Sequence, residues 1–318
     1  MFEFVYWLKA AAAILITNSH YADIWPISAM AAGGHLGNCL FFLVSGFCLC
    51  NIRDSFPRWY LRRLLRIYPV LWVAVVFNLI TGHFQVNSFA GFIRYFVYPT
   101  PYHFIASILV LYILFWLVRK LQQKYLVGTK QVLLFTLVLC AVVYLFFFDK
   151  SHYHIDDVEE TWVRYHFWVS MLLGTMLREK YDALEKTISP AQYAAEVFLF
   201  IAYFAGKVLV SRYAALSYFQ FLSPALLVAL VWQTALLFIK LEKQGALVPT
   251  GLLGKIVRFL SSLTLEIYFV QNVIIRHLSG LTFPLNLFLV TGLIVATSWT
   301  VHQPAGWLQK KCSNLLKL

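Results

Sequence analysis

Acidic side chains are scarce, with 14 Asp and Glu in 318 residues, and charge of either sign makes up only 13% of the chain. A soluble domain of this length needs a charged surface to stay in water, so this composition argues against a soluble globular fold. Cysteine is sparse as well. Cys39, Cys48, Cys50, Cys140 and Cys312 lie mostly within or beside apolar segments and form no pairing pattern, which argues against a disulfide framework. Internal repeats, low-complexity stretches and linkers are missing, and no loop is long enough for a separate soluble domain. Residues 1–318 therefore read as one domain. The first apolar run carries Lys9 and has no small-residue cleavage site after it, so it reads as a retained span rather than a signal peptide.

What the chain has in abundance is apolar surface: 61% of residues are hydrophobic and 18% aromatic. The solvent implied is lipid, with many of the 10 Trp and 18 Tyr expected at its interfaces. Runs long enough to cross a bilayer, about 17 to 25 residues each, fall near 4–21, 36–52, 66–82, 103–119, 131–148, 163–178, 192–210, 218–239, 259–277 and 284–301. The expected fold is all-α, a polytopic bundle of about ten transmembrane helices. Loops between these runs alternate in charge. Arg53, Arg58, Arg62, Arg63 and Arg66, then Arg119, Lys120, Lys124 and Lys130, then Arg178, Lys180 and Lys186, then Lys240, Lys243, Lys255 and Arg258, and finally Lys310, Lys311 and Lys317 fall on one side. The other side holds Arg94, Lys150, Arg164, Lys207, Arg212 and Arg276, with an acidic loop carrying Asp156, Asp157, Glu159 and Glu160. By the positive-inside rule both termini are cytoplasmic, and the net charge of +12 reads as topology rather than as a nucleic-acid surface.

On this topology His20, His35, His83, His103, His152, His154, His166 and His277 all fall at outer ends, and only His302 lies inside. Interfacial tolerance accounts for any one of them. Together they favour a polar cavity facing outward, suited to proton chemistry. His20 and Lys9 stand eleven residues apart in the first span. Helical geometry puts them on one face about 16 Å apart, and an ionisable Lys9 inside an apolar helix either snorkels or faces an anionic partner. Arg62, Arg63 and Arg66 have helical spacing too. They read either as topogenic charge or as a phosphate site, for which guanidinium groups suit bidentate contacts. Ser45 and Gly46 allow close helix approach, and Ser45 is alternatively a contact for a cofactor arm. Glu266 in the ninth run is costly in lipid unless it pairs, with Lys9 or an inner arginine the expected partner. Asp23, His35, His103, Arg276 and His277 are candidates for an outer acceptor cavity.

Lys9 and His20, the segment Gly37-Asn38-Cys39-Leu40-Phe41-Phe42-Leu43-Val44-Ser45-Gly46-Phe47 and the run Arg62-Arg63-Leu64-Leu65-Arg66-Ile67-Tyr68-Pro69 together resemble the membrane-bound acyltransferase 3 family. The stretch from Leu260 to Gln271, and Pro304 followed by Lys310 and Lys311, extend the resemblance over nearly the whole chain. It implies a bacterial inner-membrane enzyme that moves an acyl group, most often acetyl, from cytoplasmic acyl-CoA to a hydroxyl of a cell-surface or lipid-linked saccharide. Its first-span basic residue and histidine map onto Lys9 and His20, and its paired arginines onto Arg63 and Arg66, with no metal. The chain departs from the family at Lys9, where arginine is usual, at Gln271, where many members have histidine, and at His302-Gln303-Pro304, where a glutamate usually precedes the proline. Two rival readings rest on other features. A transporter or flippase of a lipid-linked sugar or small solute also needs many spans and a polar cavity, although it would favour repeats and Gly/Pro-broken spans that the sequence lacks. A metal or haem protein would use the outer histidines, but His152 and His154 are only two apart and no helical i,i+4 pair exists.

Overall fold

The computed structural model describes residues 2–158, 161–248, 250–278 and 280–316, so Glu159, Glu160 and Lys317 of the charge pattern lie outside it. The described residues form helices α1 (Glu3–Asn18), α2 (Gly34–Leu49), α3 (Phe56–Ile80), α4 (Phe89–Phe92), α5 (His103–Tyr125), α6 (Thr129–Phe146), α7 (Trp162–Lys180), α8 (Pro190–Arg212), α9 (Leu222–Lys243), α10 (Leu252–Ser262), α11 (Thr264–Leu278) and α12 (Leu285–Leu316), and contain no strand. Among them seven are long and apolar enough to cross a membrane: α2 with the turn before it, α3, α5, α6, α8, α9 and α12.

The expectation of about ten spans is therefore corrected, and the reasons differ from place to place. The 16 residues of α1 rise about 24 Å, less than the roughly 30 Å hydrocarbon core. The apolar run at 259–277 is not one helix, because it breaks at Leu263 into α10 and α11, of 11 and 15 residues. In α7, Arg164, Arg178, Glu179 and Lys180 join Tyr165, His166, Ser170 and Thr175 to dilute the apolar pattern. Most of α7 is buried in protein, and a helix surrounded by other helices need not be apolar all round. By contrast α6 and α8 are largely exposed on the protein surface and predominantly apolar, and within α8 Glu196 and Lys207 are paired with Thr234 and Asp156.

By internal contacts the chain divides into two units, and each draws on several separated segments. The first comprises Met1–Lys9, Asn38–Asn51 and Val118–Lys255, and the second Ala10–Gly37, Ile52–Leu117 and Ile256–Leu318. In the first unit α7 packs on α6 and α9, and α8 on α9. Glycine lets α2 meet α7 backbone to backbone. A Cβ on Gly46 would lie 2.0 Å from the Met171 carbonyl oxygen, and one on Gly174 would lie 1.9 Å from that of Leu43. Around this contact the Thr175 hydroxyl donates to the Gly46 carbonyl at 3.3 Å, and Phe42 stacks on Phe167 at 4.4 Å. The acidic loop is fastened to the same unit. The Gln220 side-chain oxygen accepts from the backbone N–H groups of His154 and Ile155, its amide donates to the His152 carbonyl, and Asp156 pairs with Lys207 at 2.5 Å. The five cysteines are free thiols.

In the second unit α3, α11 and α12 pack against one another. Buried Asn78 on α3 donates to the Ala74 carbonyl and to the Tyr102 hydroxyl. Asn18 closes α1 and holds the following loop, donating to the carbonyls of Met30 and Ala32 while accepting from the Trp25 indole at 2.9 Å. The same loop is tied to α12 through Tyr21 with Thr291 and through Asn286 with the Ile24 carbonyl.

Candidate functional site

Three polar stations lie within the second unit, and each begins with a local sequence feature. The first is on α3. Extended Ser55 and Pro57 in the first turn start this helix at Phe56, ten residues before the expected span. Arg62, Arg63 and Arg66 are thus helical rather than in a loop. With Leu65, Gln309 and Ser313 they line a polar recess of about 290 Å³ between α3 and α12. Pro69 has no N–H, so the Leu65 carbonyl on the wall of this recess loses its helical donor. The three arginines are not equivalent. Arg62 is paired with Asp54 at 2.6 Å, Arg66 is exposed, and Arg63 lies over the Trp59 ring at 5.5 Å with its Nε buried and without a hydrogen-bond partner. A buried guanidinium N–H without an acceptor costs about 1–3 kcal/mol, and a phosphate oxygen would satisfy it.

The second station is Glu266 near the start of α11. Its carboxylate is 4% exposed and accepts from Nδ1 of His302 on α12 at 2.6 Å. Histidine is a partner the sequence reading did not name. His302, Gln309 and Ser313 are spaced by seven and four along an apolar helix, so a scan of α12 for polar residues at helical period would have found all three.

The third station is His20. Helix α1 ends at Asn18, so the expected shared helical face of Lys9 and His20 does not extend to His20. Instead its backbone N–H bonds to the Thr17 carbonyl at 3.0 Å in the turn beyond the helix. The imidazole keeps a solvent-accessible surface, yet surrounding protein desolvates it enough to hold its pKa below the ordinary 6.5. A neutral imidazole with a free lone pair results at neutral pH. Thr17 links this turn to α11, since its hydroxyl donates to the Gln271 side-chain oxygen at 2.9 Å.

The remaining candidates are more scattered. Arg276 and His277 occupy the last turn of α11, exposed, with Nδ1 of His277 donating to the Val273 carbonyl at 2.7 Å. They act electrostatically on His83, one of the outer histidines. Burial first, then Arg276 and His277, lower the pKa of His83 below its ordinary value. Asp23 is exposed in the loop after α1, His35 is half-buried in the first turn of α2, and His103 starts α5. Lys9 and Ser45 belong to the first unit: Lys9 is half-buried on α1, and Ser45 is buried beside Gly46 where α2 approaches α7. His152 and His154 stack at 4.4 Å in the fastened loop, and each Nδ1 is already engaged, by the Ser151 hydroxyl and the His152 carbonyl. Among the described residues no group of three His, Cys, Asp or Glu side chains is arranged to hold a metal.

Neither the curated proteins nor the solved structures contain a match to this chain. Residues 2–302 match the family model described as an acyltransferase domain, nearly the full length, and the chain belongs to that acyltransferase 3 family of multi-pass membrane acyltransferases.

Proposed function

We propose that this acyltransferase moves an acyl group, acetyl by preference, from cytoplasmic acyl-CoA to a hydroxyl of a cell-surface or lipid-linked saccharide, working in a bacterial inner membrane. The observation that carries the reading is the arginine recess with its unpartnered Arg63 Nε. Coenzyme A bears phosphates at one end and the reactive thioester at the other, and the arginine recess and His20 lie at separate stations of one unit. The nucleotide end sits with Arg63 and Arg66, while the pantetheine arm carries the thioester toward His20.

At that end His20 takes the proton of the acceptor hydroxyl as the oxygen attacks the thioester carbonyl. The C–O bond forms, the C–S bond breaks, and the imidazolium returns its proton to the departing thiolate. Ester and free coenzyme A are the products. Transient acylation of His20 is the alternative order of the same steps. Arg276 and His277, joined by His83, and with Asp23, His35 and His103, receive the polar acceptor, and Glu266 with His302 holds α11 to α12.

Full-length protein reconstituted in liposomes with radiolabelled acetyl-CoA tests this reading. Acceptor-stimulated release of coenzyme A, matched by label in a saccharide fraction, is expected. Mass spectrometry of host glycans with and without the protein identifies the acceptor. Solute movement without coenzyme A release would overturn the assignment.

A further inference from the structure

The side chain of Gln271 is fully buried, and only one of its two polar atoms has a hydrogen-bond partner. Its Oε1 accepts the Thr17 hydroxyl, and Nε2, with two N–H donors, is shut off from water and without a partner. Leaving such a donor unsatisfied costs about 1–3 kcal/mol, so its retention calls for a reason. Its surroundings suggest one. The backbone carbonyl of Thr17 accepts the backbone N–H of His20, so two hydrogen bonds connect the amide to the backbone of the residue that carries the proposed base. Thr17 and Ile267, the latter one helical turn before Gln271, line an apolar cleft of about 500 Å³ that also includes Asn18 and Tyr21.

We propose that Gln271 is a catalytic residue whose Nε2 donates to the thioester carbonyl oxygen as that oxygen becomes an oxyanion. The inference rests on His20 being the base. As the acceptor oxygen adds to the carbonyl carbon, the C=O electron pair moves onto oxygen and is held by the amide N–H. When C=O re-forms, the C–S bond breaks and the hydrogen bond weakens. A donor kept from water acts strongly on charge that appears only in the transition state, and removing one such donor typically costs about 10²–10³ in rate. Thr17 is the positioning residue that aims it.

The test uses full-length protein in liposomes of host lipid extract, with radiolabelled acetyl-CoA and coenzyme A release as the readout. Gln271→Met keeps the shape and removes the donors. The expected result is a fall in kcat of about 10²–10³-fold, an unchanged KM for acetyl-CoA, and a melting temperature equal to or above that of the native protein. Gln271→His, which again offers a ring N–H, restores kcat to within about tenfold, and Thr17→Val, which frees the amide to turn, costs less than Gln271→Met. A purely structural cross-brace would give the opposite pattern, with a lower melting temperature for Gln271→Met at an unchanged kcat, and that result overturns the proposal. His20→Ala, measured in parallel, keeps the two ideas apart. If His20→Ala is inactive while Gln271→Met works at the native rate, only the oxyanion role fails. If His20→Ala retains transfer, the reading of the base fails, and this inference with it.

Discussion

Replacing Arg63 by alanine should weaken coenzyme A binding far more than replacing Arg62, although the two are adjacent in sequence. Arg63 brings a buried, unpartnered Nε to the recess and is held over Trp59, whereas Arg62 already spends its guanidinium on Asp54 at 2.6 Å. A charge-assisted hydrogen bond to phosphate contributes about 1.5–3 kcal/mol, so Arg63→Ala should raise the Kd roughly 10- to 150-fold. The Arg62–Asp54 pair is about one-third exposed on each side, so screening makes it weak and Arg62→Ala should change the Kd by about fivefold or less. Asp54→Asn releases Arg62 and should tighten binding about threefold. Calorimetric titration of detergent-purified protein with coenzyme A measures all three, and dephospho-coenzyme A shows which phosphate is read. Equal effects for Arg62→Ala and Arg63→Ala, or none for either, would refute the assignment of the recess to phosphate.

Gly174→Ala drives a Cβ to within 1.9 Å of the Leu43 carbonyl oxygen, a backbone atom that cannot swing aside, and should cost at least about 1–3 kcal/mol of stability. Gly206→Ala is the control: its nearest neighbour would be a Leu226 methyl at 3.6 Å, and it should be neutral or stabilising by up to about 1 kcal/mol; thermal melting that failed to rank the two in this order would contradict the α2–α7 contact. His302→Ala leaves the buried Glu266 carboxylate without this donor and should lower the melting temperature more than Glu266→Gln, which removes the charge instead; equal melting of the two would contradict a strut role. The pH profile of kcat/KM should have an acid limb below the ordinary histidine value of 6.5, because His20 acts as a base only when neutral and burial lowers its pKa; activity therefore falls as pH drops through that lowered value, and a limb above 6.5 would contradict the base assignment.

The membrane architecture was legible in composition, because helices as exposed as α6 and α8 must be predominantly apolar to face lipid. The number of spans was not. Helix α7 is wrapped by protein and so escapes that requirement, and the break at Leu263 lies within an unbroken apolar run that hydropathy reads as one segment. The arginine group was visible from its helical spacing, but its internal differences depend on Asp54 and Trp59, whose contacts only the folded chain defines. Lys9 and His20 share the first apolar run of the sequence but not one helical face, since α1 ends at Asn18, which bonds forward to Met30 and Ala32. The pairs Glu266–His302 and Gln271–Thr17 join residues far apart in sequence, and single-chain pattern has no term for them.

The central claim is that His20 performs the proton transfer. Its most direct test is the single-turnover rate of acetyl transfer by His20→Ala in liposomes, alongside its Kd for coenzyme A and its melting temperature. A general base contributes about 10²–10⁴-fold, so the account predicts a loss of that size with binding and melting unchanged. Transfer within a few-fold of the native rate would contradict it.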